Sequence, residues 1–210
     1  MLGTLLLATV IILLAIAVIG VVALVYGKDM PAREWKQLLD RHDVMILDTE
    51  TTGVSRSAQI VEIALLDTRG VVRINSLVMP EGRRRIGASG IHGLTYRRLV
   101  EGGARPWRAV APEVAKALRE ARALVTWNSD FDVRMVRQTD KRYGLPPTLP
   151  ASLRVRCAMM DYHGDRISLA GAVMDEGVTE GTPHRALGDC RSVLAVMRAV
   201  VRRADGSALR

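Results

Sequence analysis

Val44, Met45, Ile46 and Leu47 run without a break into Asp48-Thr49-Glu50, and Gly53 follows Thr51 and Thr52. Apolar residues that end on acids read as a buried strand leading into a site. Successive side chains of a strand point to opposite faces, so Asp48 and Glu50 share one face, a few ångströms apart. Carboxylates that close repel, and one holds a proton unless cations neutralise the pair. Hard divalent metals, for which carboxylate oxygens are good ligands, are the usual cations. Gly53 permits a tight bend where backbone approaches a ligand. Asp-x-Glu is also common in solvated turns, so the inference depends on what lies downstream.

Leu5 to Tyr26 is an unbroken run of apolar and small residues. As a helix it is about 33 Å long, matching a hydrocarbon core of about 30 Å. Residues 1–27 are therefore expected to be a retained transmembrane anchor. A cleaved signal peptide is the rival, but no Lys or Arg precedes the run. Lys28, Arg33, Lys36 and Arg41 follow it, which predicts a single-pass protein with its soluble domain in the cytoplasm. The remaining chain carries all the charge, a net +8, favouring polyanionic partners such as nucleic acid or an anionic membrane surface. Cys157 and Cys190 have no zinc-type spacing and read as small buried hydrophobes in a reducing compartment.

Residues 28–42 read as a linker with a short helix, Pro31 to Asp40, striped by Trp35, Leu38 and Leu39. Strands are expected around 44–49, over 59–67 and over 71–79, with short turns favouring antiparallel pairing. Residues 80–106 read as a loop with a helical piece near 95–100. Pro112 is expected to open a helix. A fourth strand, 124–128, leads into a helix capped by Ser129 or Asp130 and stopped by Gly144. Residues 153–160 suggest a fifth strand, 168–174 a helix, and 186–203 the last helix, before a flexible tail at 204–210. This is an α/β domain over 43–203 with a mixed, roughly five-stranded sheet flanked by helices.

Asp132 falls at the start of one expected helix and Asp189 at the start of another, where ligands gather in α/β sheets and the helix dipole favours an anion. With Asp48 and Glu50 they make four carboxylates able to converge. The whole pattern resembles the DEDD family of 3′–5′ exonucleases, in the branch with a histidine in its third motif, whose best-known relative is the proofreading epsilon subunit of bacterial DNA polymerase III. Its motifs correspond here to Asp48-Thr49-Glu50-Thr51-Thr52-Gly53, to Asn128 through Phe131 and Asp132, and to His184 through Asp189; Ile91 to Thr95 resembles a further family segment.

The resemblance implies a ribonuclease H-like fold and hydrolysis of phosphodiester bonds with two divalent ions, magnesium expected and manganese a plausible substitute. By similarity Asp48 would bridge both ions, Glu50 and Asp189 would complete the site of the attacking water, and Asp132 would help hold the second ion. His184 would be the general base, since imidazole titrates near neutrality. Thr51, Thr52, Gly53, His92 and Asn128 are candidates for contact with the terminal nucleotide. Core packing is the expected task of Phe131 and Trp127, and capping that of Asp130. The arginines at 83–85 and Arg97, Arg98, Arg105 and Arg108 suit phosphates, a solvated loop or anionic lipid alike. The expected function is a metal-dependent 3′–5′ exonuclease acting on nucleic acid 3′ ends, single-stranded DNA favoured. An RNA-trimming enzyme of the same family, or a non-catalytic nucleic-acid-binding membrane protein, are the alternatives.

Overall fold

The structure is a computed structural model that describes residues 30–82, 84–179 and 181–206. The expected membrane anchor over 1–27 lies outside the described residues, as does most of the expected tail. No helix among the described residues is long and apolar enough to cross a membrane.

The elements follow in order as α1 (Met30–Leu39), β1 (Val44–Thr51), β2 (Ile60–Asp67), β3 (Val72–Met79), α2 (Ser89–His92), α3 (Tyr96–Glu101) and β4 (Arg105–Pro106). Then come α4 (Trp107–Arg119), β5 (Ala123–Thr126), α5 (Ser129–Tyr143), β6 (Arg154–Cys157), α6 (Ala158–His163), α7 (Leu169–Asp175) and α8 (Ala186–Ala204). The strands form one mixed sheet of six, ordered β4-β3-β2-β1-β5-β6. β1 pairs antiparallel with β2 and parallel with β5.

β1 is apolar on both faces because both are covered. Val44 and Ile46, with Ala64 and Leu66 of β2, pack against Cys190, Val193, Leu194 and Met197 of α8. Met45 and Leu47, with Ile63 and Leu65, pack against α4 and against Met135, Val136 and Tyr143 of α5. Helices α5 and α8 therefore cover opposite faces of one central strand. The segment read as a linker joins the first core, where fully buried Trp35 of α1 stacks on Tyr162 with ring centroids 6.3 Å apart.

Four expectations need correction. The sheet has six strands because two-residue β4 pairs with Val78 and Met79 at the edge of the sheet, where a proline is tolerated. α4 begins at Trp107, with Pro106 as its N-cap and Pro112 inside it. Buried Trp107, Val110, Ala111, Val114 and Leu118 recur at helical spacing, and that packing offsets the hydrogen bond lost at Pro112. The fifth expected strand stops at Cys157, and Ala158, Met159 and Met160 turn into α6, ended by Gly164 at φ 71°. Asn128 is the N-cap of α5, in place of Ser129 or Asp130, and makes no side-chain cap bond.

Candidate active site

Asp48 and Glu50 project from β1 on its α8 side, and Asp189 meets them from the first turn of α8. Each of the three offers a carboxylate oxygen, all within 4.8 Å of one another. Cys190, the next residue, lies over the sheet with its Sγ 3.6 Å from the carbonyl oxygens of Ile46 and Ala64, which seats this turn on the β1–β2 pair. Burial pushes the Cys190 thiol far up, so it stays protonated and inert.

Asp132 stands outside that triad. It comes from α5, on the far face of the sheet, and its Oδ1 accepts a 2.7 Å bond from the hydroxyl of Thr49, the residue between Asp48 and Glu50. Strand alternation accounts for this, since Thr49 points to the face that Asp48 and Glu50 do not. Asp132 is nonetheless close enough to contribute strongly to the field at Asp48.

The electrostatics follow from crowding out of water. Burial, then repulsion from Asp132, Asp189 and Glu50, raises the Asp48 carboxyl well above the usual carboxylate range. Burial, then Asp189, Glu62 and Asp132, raises Glu50 to about 8, with Arg185 opposing. Burial takes Asp132 to about 7 despite its threonine hydrogen bonds. Asp189 is raised by burial and relieved in part by His184. Several acids that would all prefer to be neutral together make a site suited to multivalent cations.

His184 is exposed at the rim, and its backbone N–H donates to Asp189 Oδ1 at 3.3 Å. Its φ of 56° makes it the one non-glycine with positive φ among the described residues, a conformation that persists only where the surroundings hold it. Part of that hold is a close crossing: a Cβ on Gly188 would overlap the Thr182 backbone, so the chain before His184 lies directly on α8 only because residue 188 has no side chain.

The expected nucleotide contacts are mostly engaged within the fold. The Thr51 hydroxyl donates to the Gly53 carbonyl at 2.7 Å, and the Thr52 hydroxyl accepts from the Gln59 N–H at 3.0 Å. His92 is buried, with Nδ1 accepting from the Leu94 N–H and Nε2 3.0 Å from the Thr51 carbonyl oxygen, so the ring pins the end of β1. Gly53 faces open space. Asn128 is exposed, and its carbonyl accepts the Asp132 N–H at 3.2 Å. Trp127 packs in the core and donates to the Ile167 carbonyl. Arg97 and Arg105 pair with Glu101 and Glu113, and Arg98 bonds the Gly93 carbonyl.

Two residues at the site were missed by sequence reasoning: Glu62, buried in β2 directly opposite Glu50, and Arg185, which pairs with it. The signal was a lone acid inside an otherwise apolar strand.

The family model for exonucleases matches residues 45–197. This chain belongs to that exonuclease family. Among relatives, it is 35% identical over 186 residues to "Uncharacterized exonuclease CP81" of Escherichia phage 186, covering 81% of this chain and 92% of that one. Among solved structures, the exonuclease is similar to the nuclease domain of 3′hExo, a DEDDh family member bound to rAMP, at TM-score 0.58 and 19% identity, covering 80% of this chain and 96% of that one. It is also similar to the zinc-bound E. coli ExoI–ssDNA complex, at TM-score 0.63 and 16% identity over 78% of this chain and 41% of that one. The Mg2+- and Mn2+-bound form of S. pombe Pop2p gives TM-score 0.55 at 16% identity over 87% and 93%. Together with the family match, these likenesses establish the α/β ribonuclease H-like exonuclease fold.

Proposed function

We propose that this exonuclease removes nucleotides from the 3′ ends of nucleic acid, single-stranded DNA foremost, using two divalent ions, magnesium or manganese. The observation that carries the reading is the meeting of Asp48, Glu50 and Asp189 within 4.8 Å, with Asp132 reaching the same strand end from the opposite face. Their hard oxygen donors and mutual repulsion fit such cations. Bound there, the ions would lower the pKa of an attacking water and stabilise the leaving oxygen of the scissile phosphate.

The chain's own residues supply the rest. Asp48, at the centre of the cluster, would hold the ions with its neighbours. Glu50 and Asp189 would complete their binding on the α8 side, and Asp132, fixed by Thr49, would contribute from the other face. His184, open to solvent beside Asp189, takes the proton from the attacking water. The net charge of +8 draws a polyanion to the domain. Similar structures fit such substrates, since one of those proteins is in complex with single-stranded DNA and another holds rAMP.

The test is the purified full chain with single strands labelled at either end. Mononucleotides should leave a 3′-labelled strand at once and a 5′-labelled one last, only with Mg2+ or Mn2+, and faster from DNA than from RNA. Immediate release from the 5′ label, or equal release in EDTA, would refute the assignment. We further propose that the apolar run from Leu5 to Tyr26 anchors the exonuclease in a membrane with its domain in the cytoplasm. Deleting residues 1–27 should move the protein from the membrane fraction to the soluble one, and an unchanged distribution would remove the anchor.

A further inference from the structure

We propose that Glu62 and Arg185 form one positioning unit that sets the first turn of α8, and with it Asp189 and His184, against β1. The inference deepens the proposed function and rests on that reading of the site.

Glu62 is 2% exposed and sits directly opposite Glu50 in the β1–β2 register. Like charges facing across a strand pair are destabilising, so a second buried acid there needs a reason. Both of its oxygens are used. Arg185 Nη2 donates to Oε1 at 2.6 Å, and Nε donates to Oε2 at 3.0 Å and Oε1 at 3.2 Å. The Ala186 N–H donates to Oε2 at 3.0 Å. A forked guanidinium–carboxylate pair fixes angle as well as distance. The added backbone bond satisfies one of the free N–H groups that begin a helix. Arg185 and Ala186 stand between His184 and Asp189, so the same contacts fix the residues on either side. Bonded in this way, Glu62 is also kept from competing for cations beside Glu50, and the Arg185 charge eases the crowding of acids.

Glu62 and Arg185 need touch neither substrate nor ion, and their removal should act through position. Supporting groups of this kind typically cost about 10- to 100-fold in activity or metal affinity when mutated. Glu62→Gln should lower kcat by roughly that factor with KM for the strand within about twofold. Arg185→Met should be worse, because it leaves Glu62 buried without its partner. The double variant Glu62→Gln/Arg185→Met should recover part of the loss of Arg185→Met, since it removes the stranded charge. Mn2+ affinity by calorimetry should fall in both single variants. Hydrogen exchange at the amides of residues 184–190 should quicken while the rest of the domain stays protected.

Single variants with wild-type kcat, a double variant whose loss is the product of the single losses, or faster exchange throughout the domain would each overturn the proposal. An inactive wild type would instead count against the nuclease reading, and the exchange data would still decide whether this contact holds the turn.

Discussion

Asp48→Ala and Asp189→Ala are each expected to cut metal-dependent release of nucleotides by at least about 10³-fold while leaving the domain folded. Removing one stabilising donor from an active site commonly costs roughly 10²–10³ in rate. Here each change removes one of the three carboxylates whose oxygens lie within 4.8 Å of one another, and Asp48 lies at the centre of the acidic field. Stability should move the other way. Both carboxylates are held above their usual pKa by burial and by one another, so without metal the folded protein tolerates them at a cost. The Tm of either variant, measured in EDTA at pH 8, should equal or exceed that of the wild type. Asp130→Ala is the control: this exposed acid two residues before Asp132 lies outside the cluster, and its loss should leave the rate unchanged. Nuclease activity near wild type in Asp48→Ala would sink the assignment of the site.

The second large effect is on stability against pH. Without metal, the wild-type domain should be markedly less stable at pH 8 than at pH 5.5. Glu50 rises from an ordinary 4.5 to about 8, and Asp132 from 3.8 to about 7. For an acid whose pKa is raised by folding, the folded state keeps its proton where the unfolded state has lost it. Stability then falls as pH climbs from the unfolded value to the folded one, and the full loss is present above about 8. A shift of this size in a group as buried as Glu50 corresponds to roughly 2–5 kcal/mol, or a drop in Tm of about 5–15 °C. Saturating Mn2+ should abolish the slope, because cations favour the ionised acids, and Glu50→Gln should flatten it without metal. A metal-free Tm that is level or rising between pH 5.5 and pH 8 would show that the acids are not crowded in solution as they are in the structure.

Much of this was legible in the order of residues. A strand that is apolar up to Asp48 has one natural place in an α/β sheet, and two residues apart on a strand means one shared face, so Asp48 and Glu50 fell together by geometry alone. The last helix was readable from the stripe of Leu187, Cys190, Leu194 and Met197. The rest was hidden for physical reasons. Pro112 suggested a helix start because local propensity was weighed without the buried Trp107 five residues earlier, and tertiary packing overrode it. Ala158-Met159-Met160 carry no period that separates strand from helix over so short a span. Which face of the sheet each helix covers depends on chain crossings, so the separation of Asp132 from the other three acids was invisible. Glu62 was passed over because its partner lies 123 residues away. The arginines suited phosphates, a solvated loop or anionic lipid alike, and folding adds that Arg105 pairs with Glu113, eight residues on.

Asp48 and Glu50 precede by well over a hundred residues the helix that brings Asp189 and His184. A ribosome therefore builds most of this domain before His184 and Asp189, the last acid of the cluster, exist. Nascent chains, and fragments broken off upstream of α8, carry half a blade. On the proposed reading, cleavage waits until translation has passed the final helix.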